Sequence, residues 1–113
     1  MELTEEATAE VAIVAVTGRL DAATSMRFGS RLDELLRDEQ AHLLIDASQL
    51  EYIGSVGLRA LLVAAKDATH RGRRLAVCGM TAQIAHTVEL AGFGDLFETY
   101  ASRADALAKL SAN

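Results

Sequence analysis

Residues 43–79, "LLIDASQLEYIGSVGLRALLVAAKDATHRGRRLAVCG", contain two short apolar runs separated by a longer segment with helical spacing. The runs at 42–46 and 75–78 are rich in Leu, Ile and Val, which predicts two buried strands. Between them, apolar residues recur at intervals of three and four, at Leu58, Leu61, Leu62 and Ala65. This spacing predicts one buried face of a helix that ends near Gly72. A strand, a helix and a second strand in this order favour a right-handed crossover between parallel strands.

The same alternation continues towards the N-terminus. The run "VAIVAV" at 11–16 predicts a buried strand that ends at Gly18, and residues 2–6 are expected to form an edge strand beside it. From Asp21, the expected N-cap, the spacing predicts a helix with an apolar face. That face consists of Phe28, Leu32, Leu35 and Leu36.

Towards the C-terminus, Thr81 is expected to cap a helix that is followed by Gly92 as a C′ residue in the left-handed conformation. A short strand near 97–100 and a last helix capped by Ser102 complete the pattern. The chain is therefore predicted to be α/β, with a mostly parallel sheet of four to five strands, an N-terminal edge strand and about four helices. Residues 1–113 are expected to form one domain, with any functional surface at the carboxyl ends of the strands.

Composition excludes several classes of function. The formal net charge of −5 argues against a nucleic-acid-binding surface, and the most basic segment, 70–74, is interpreted as a solvated helix end. The chain has no apolar run of about twenty residues, so no membrane span is predicted. The single cysteine, Cys78, lies among apolar neighbours and is expected to be a buried small hydrophobe in a reducing compartment. We therefore expect a cytoplasmic protein.

The segment "IGSVGL" at 53–58 matches no catalytic motif completely. It lacks the lysine of a phosphate-binding loop, the spacing of a hydrolase nucleophile elbow and the third glycine of a dinucleotide loop. The histidines at positions 42, 70 and 86 do not have the spacing of metal ligands. No catalytic residue, metal or cofactor is predicted, and an enzymatic function is not expected.

Ser55 lies at the start of the central helix and has two possible roles. As an N-cap, its oxygen would accept a hydrogen bond from an early N–H of the helix. Alternatively, Gly54 and Gly57 leave the hydroxyl uncovered, which suits a partner protein or a kinase. A phosphate at this position would be tolerated by the positive end of the helix dipole, so a switch would act outward on a docking partner.

The block at 43–79 resembles the central part of STAS domains, in particular the bacterial anti-sigma factor antagonists. The likeness extends over nearly the whole chain. It includes "VTGRLDAATS" at 16–25 and "ELAGFGDLF" at 89–97. The motifs are weak one by one, but their order and spacing together are fairly specific.

The resemblance implies that Ser55 is phosphorylated by a partner that is both anti-sigma factor and serine kinase, with a fold like the ATPase domains of histidine kinases. The unphosphorylated antagonist would bind this partner and free the sigma factor, and a PP2C-type phosphatase would restore it. The implied partner-binding residues are Asp21, Thr24, Gly54, Ser55, Val56, Gly57 and Arg59. The chain departs from the commonest family pattern at Gly54, where many members have aspartate, and at Val56, where a hydroxyl or small residue is frequent.

Two other classes of function stay open at this point. Some STAS domains are scaffolds in stress-signalling complexes or accessory subunits of lipid-transporting ABC systems, where Ser55 would be a constant cap. Others are reported to bind nucleotides, although this chain has no glycine loop with a lysine to hold phosphates.

Overall fold

Strands and helices alternate in the computed structural model, which describes residues 1–38, 40–92 and 95–111. Positions 93 and 94 of the "ELAGFGDLF" motif lie outside the described residues. The elements in chain order are β1 (Glu2–Ala7), β2 (Val11–Leu20), α1 (Ser25–Asp38), β3 (His42–Ile53), α2 (Ser55–His70), β4 (Leu75–Cys78), α3 (Ala82–Leu90), β5 (Glu98–Tyr100) and α4 (Arg103–Leu110).

The five strands form one sheet in the order β1-β2-β3-β4-β5. β1 runs antiparallel to β2 at the edge, and the remaining neighbours pair in parallel. This arrangement confirms the predicted α/β class, the N-terminal edge strand and the mostly parallel sheet. No helix within the described residues combines the length and hydrophobicity needed to cross a membrane.

Successive side chains of the central strands point to opposite faces of the sheet, so the hydrophobic core is divided between the two faces. The larger cluster packs against α1, α2 and α3 and includes Val14, Val16, Leu43, Ile45 and Val77. The residues between them pack against α4 and include Val11, Ile13, Leu44, Ala76 and Cys78. Because both faces are covered at these positions, the central strands are continuous apolar runs, as parallel strands require.

Helix faces and caps follow the local pattern. The predicted apolar face of α1 is buried in full. Thr81 accepts a hydrogen bond from the Ile84 N–H, and Ser102 accepts one from the Asp105 N–H, so both predicted caps are confirmed. Gly92 follows α3 with a φ of +82°, the left-handed conformation expected there. In α2 the buried face is centred on Gly57, Leu61, Ala64, Ala65 and Ala68.

Two strand ends differ from the prediction. β2 does not end at Gly18 but continues to Leu20, with Gly18 at a φ of +91° beside a register shift in the ladder. β3 does not end near Asp46 but continues to Ile53. The two extensions pair with each other, so each strand supplies the hydrogen-bond partners that keep the other extended.

The basic segment 70–74 is only partly a solvated helix end. Arg73 is buried, and its guanidinium donates a hydrogen bond to the carbonyl of Leu36 at the end of α1. Arg74 pairs with Glu98 of β5 across a distance of 2.5 Å. These two arginines therefore attach the segment to α1 and β5.

Candidate functional site

The extended ends of β2 and β3 place the Ser55 region beside the Asp21 turn. Leu20 and Ile53 are partners in the ladder, and the Gly54 N–H donates to the Leu20 carbonyl at 2.9 Å. The chain leaves β2 at Asp21 and enters α2 at Ser55 directly after this pairing. The two predicted segments therefore meet at the carboxyl edge of the sheet.

Ser55 is not the N-cap of α2. Gly54 occupies that position, its carbonyl accepts from the Leu58 N–H at 2.9 Å, and Ser55 is the first residue of the helix. The Ser55 side chain is exposed, and within the described part of the chain its hydroxyl has no hydrogen-bond partner. The capping interpretation was wrong because the strand extends to Ile53 and leaves only one residue before the helix.

Gly57 has a packing role rather than the predicted role of uncovering the serine. It is buried, and a Cβ added there would lie 2.9 Å from Ile53 Cγ1 and 3.0 Å from Leu20 Cβ. Only glycine allows the first turn of α2 to approach the ends of β2 and β3 this closely. Gly54, in contrast, has extended backbone angles that any residue adopts, and an added Cβ would meet the movable hydroxyl of Tyr52 at 3.0 Å.

Asp21 and Thr24 form a closed turn between β2 and α1. The Asp21 carboxylate accepts hydrogen bonds from the N–H groups of Ala23 and Thr24, at 3.1 and 3.2 Å. The Thr24 hydroxyl accepts from the Asp21 N–H and lies 2.7 Å from the Arg19 carbonyl. Hydrogen bonding from Thr24 lowers the pKa of Asp21. α1 itself begins at Ser25, but Asp21 makes the hydrogen bonds of an N-cap for the turn that leads into it: its carboxylate accepts from the Thr24 N–H, and its carbonyl accepts from the Ser25 N–H at 3.0 Å.

A cation–π pair adjoins the site and was not found by sequence reasoning. The Arg19 guanidinium lies 4.2 Å from the centre of the Tyr52 ring, and the Tyr52 side chain in turn lies against Gly54, 3.0 Å from the position of an added Cβ. The two residues are partners across the β2–β3 ladder. Their contact depends on the register of two distant strand segments, which no local pattern reveals.

Val56 and Arg59 project from the first turns of α2. Both are exposed, and within the described residues Arg59 has no ion-pair partner. They line a groove of about 580 Å³ between α1 and α2. The predicted partner-binding residues thus fall into two groups: an exposed group of Ser55, Val56 and Arg59, and a group with structural contacts, Asp21, Thr24 and Gly57, with Gly54 between them.

Potential metal ligands are not gathered anywhere in the described ranges, where no group of three His, Cys, Asp or Glu side chains could hold an ion. His42 begins β3, and its Nδ1 accepts a hydrogen bond from the Arg74 N–H. Cys78 is fully buried, as predicted, and burial together with the Asp46 carboxylate raises its pKa to about 11. His42 and Cys78 therefore have structural contacts. Ser55 and Arg59 are exposed, one helical turn apart on α2, and neither side chain has a polar partner in the part of the chain that the structure describes.

The family model of the STAS domain matches residues 3–106. The chain belongs to the STAS domain family. The Anti-sigma F factor antagonist of Paenibacillus polymyxa is 27% identical to this STAS domain over 101 residues, which cover 88% of this chain and 86% of that protein. Its name describes an antagonist and not an enzyme, in agreement with the non-enzymatic function predicted from the sequence.

Solved structures of anti-sigma factor antagonists have the same fold. The antagonist from Mycobacterium paratuberculosis superposes on this STAS domain with a TM-score of 0.88 at 24% identity, covering 97% of this chain and 93% of that one. The anti-sigma factor antagonist SpoIIAA in its unphosphorylated form gives a TM-score of 0.80 at 13% identity, covering 99% of this chain and 100% of that one. The Bacillus cell fate determinant SpoIIAA in its phosphorylated form gives a TM-score of 0.75 at 14% identity, covering 96% of this chain and 98% of that one.

Proposed function

We propose that this STAS domain is an anti-sigma factor antagonist whose binding to an anti-sigma factor is controlled by phosphorylation of Ser55. The observation that carries the proposal is the state of that residue: an exposed hydroxyl at the first position of a helix, with no partner in the described residues. A serine that neither caps the helix nor supports the fold is available to a kinase. The names of the relatives, among them a protein solved in phosphorylated and unphosphorylated forms, support the same function.

A phosphate on Ser55 would change the docking surface without unfolding the helix. It adds about −1.5 to −2 charges at the N-terminus of α2, where free N–H groups and the helix dipole favour an anion. Arg59 follows at i+4, the spacing at which side chains on one helix meet. We therefore expect the phosphate to form an ion pair with the guanidinium of Arg59, so that this cation is no longer available to a docking partner.

The family resemblance suggests the nature of the partners. The anti-sigma factor would itself be the serine kinase, with an ATPase domain like that of histidine kinases, and a PP2C-type phosphatase would reverse the modification. Gly54 removes the negative charge that many members carry directly before the serine. The Arg19–Tyr52 pair lies beside this position instead, so we expect the kinase to meet a less acidic loop here.

The test uses the anti-sigma factor kinases encoded in the same genome, each purified and measured against this chain by calorimetric titration. We expect at least one to bind the wild type and Ser55→Ala, and to bind Ser55→Asp about tenfold or more weakly, the effect of about 1.4 kcal/mol. Incubation with MgATP should add one phosphoryl group, which fragmentation locates at Ser55.

Ser102→Asp is the matched control, because it places the same charge at the N-cap of α4, where aspartate also caps well. It should bind like the wild type. Phosphorylation elsewhere, or equal binding by Ser55→Asp and the wild type, would contradict the switch.

A further inference from the structure

Exposed apolar side chains cluster along the groove between α1 and α2. Among the large hydrophobic residues exposed in the described chain, Met26 at 80%, Val63 at 58% and Val56 at 47% all line this groove. Val56, Ala60 and Val63 follow i, i+4 and i+7 spacing, so they form one stripe of α2. Apolar side chains gathered in one place indicate an interaction surface, whereas scattered ones do not.

Small residues make the groove deep enough to receive a side chain. Gly29 of α1 lies against Ala60 of α2, and a Cβ added to Gly29 would be 3.4 Å from the Ala60 Cβ. The two helices therefore meet along a narrow floor, and the longer side chains of Met26 and Val63 stand beside it. The resulting volume of about 580 Å³ can hold apolar side chains of a docking helix.

Two of the three charged side chains that line the groove have ion-pair partners, and the third has none in the described residues. Asp33 pairs with Arg37 within α1, and Asp67 of α2 pairs with Arg71, the residue that follows this helix, each at 3.0 Å. Arg59 is the remaining charged residue of the lining, and it has no carboxylate partner within the described residues. The groove therefore offers apolar walls and one free cation, which complement an occupant with apolar side chains and a carboxylate.

We infer that this groove binds an amphipathic helix of the anti-sigma factor, with an apolar side chain between Met26 and Val63 and a carboxylate on Arg59. The inference rests on the proposed function and adds the binding mode. A second copy of this chain fits less well, because its groove carboxylates are already paired and each copy carries a net charge of −5. The groove is continuous with Ser55 through Val56, so phosphorylation and docking share Arg59.

The test compares variants in the groove with matched variants outside it, using calorimetric titration with the anti-sigma factor that binds the wild type. Val63→Asp is matched by Leu90→Asp, since both replace an exposed apolar residue of a helix. Arg59→Glu is matched by Lys66→Glu, an exposed cation of the same helix outside the groove lining. All four substitutions are at exposed positions, and circular dichroism checks that each variant folds.

We expect Val63→Asp and Arg59→Glu to weaken binding about tenfold or more, and the two controls to stay within about twofold of the wild type. Equal binding by the groove variants and the wild type would overturn the inference while leaving the proposed function intact. A wild type that binds none of the anti-sigma factors would overturn both. Sedimentation showing a wild-type homodimer that Val63→Asp dissociates would also overturn the inference, because the occupant would then be a second copy.

Discussion

Replacing Gly57 with alanine is expected to loosen the base of the candidate site. Gly57 is buried in the first turn of α2, against the last residues of β2 and β3. The added methyl would lie 2.9 Å from Ile53 Cγ1, 3.0 Å from Leu20 Cβ and 3.1 Å from the Leu20 carbonyl oxygen. The carbonyl belongs to the backbone and already accepts the Gly54 N–H, so it cannot move without disturbing the ladder.

The magnitude follows from two opposing effects. Adding a methyl group to a closely packed site costs about 1–3 kcal/mol. Alanine in place of glycine in a helix recovers up to about 1 kcal/mol through its better helix propensity. We therefore expect Gly57→Ala to lower the free energy of unfolding by up to about 2 kcal/mol. Because the strain falls on the turn that carries Ser55, binding of the anti-sigma factor should weaken as well.

Gly29→Ala is the matched control, a second glycine inside a helix. Its added Cβ would lie 3.4 Å from Ala60 Cβ, an ordinary van der Waals contact. This substitution should therefore raise the free energy of unfolding by about 0.5–1 kcal/mol. Urea denaturation followed by circular dichroism measures the free energy of unfolding of both variants. If this free energy depends on urea concentration with the same slope in each, the urea midpoints can be compared directly. A Gly57→Ala variant as stable as Gly29→Ala would refute the argument from close approach.

Two further predictions concern the buried side of the sheet. Burial alone raises the pKa of Asp46, but hydrogen bonds from Ser48 and Arg103 outweigh it and hold this pKa below its usual value. The resulting stability is present above the unfolded pKa of about 3.9 and is lost as pH falls through the folded pKa, so urea titrations of Asp46→Asn should show a flatter acid decline. An unchanged decline would contradict this. Cys78, with its pKa near 11, should react with iodoacetamide at pH 8 only as fast as the fold opens, and labelling as rapid as in urea would contradict its burial.

Local features of the fold were predictable because a few neighbouring residues determine them. The buried face of α1 follows from the angle between successive helical residues, and the caps Thr81 and Ser102 act on N–H groups within three positions. The order of strands and helices then leaves few topologies for a parallel sheet. For these reasons the fold class and most elements could be predicted from one sequence.

The candidate site was predicted in position but not in detail, because its details depend on distant partners. Residues 47–53 look like a loop when taken alone, and they are extended because residues 17–20 pair with them. This one difference moves the N-cap to Gly54 and makes Ser55 the first helical residue. The Arg19–Tyr52 contact depends on the same pairing.

The exposure of Ser55 follows from the burial of Gly57. Successive residues of an α-helix are about 100° apart, so positions 55 and 57 point in nearly opposite directions. Packing Gly57 against Leu20 and Ile53 therefore turns Ser55 towards solvent, and it turns Arg59, at i+4, to the same side. A side chain at position 57 that lifted the helix would disturb the packing, the serine and the arginine together. The glycine of "GSVG" that contributes most to the proposed switch is thus the buried one, which holds the helix in the orientation that a kinase and a docking partner both require.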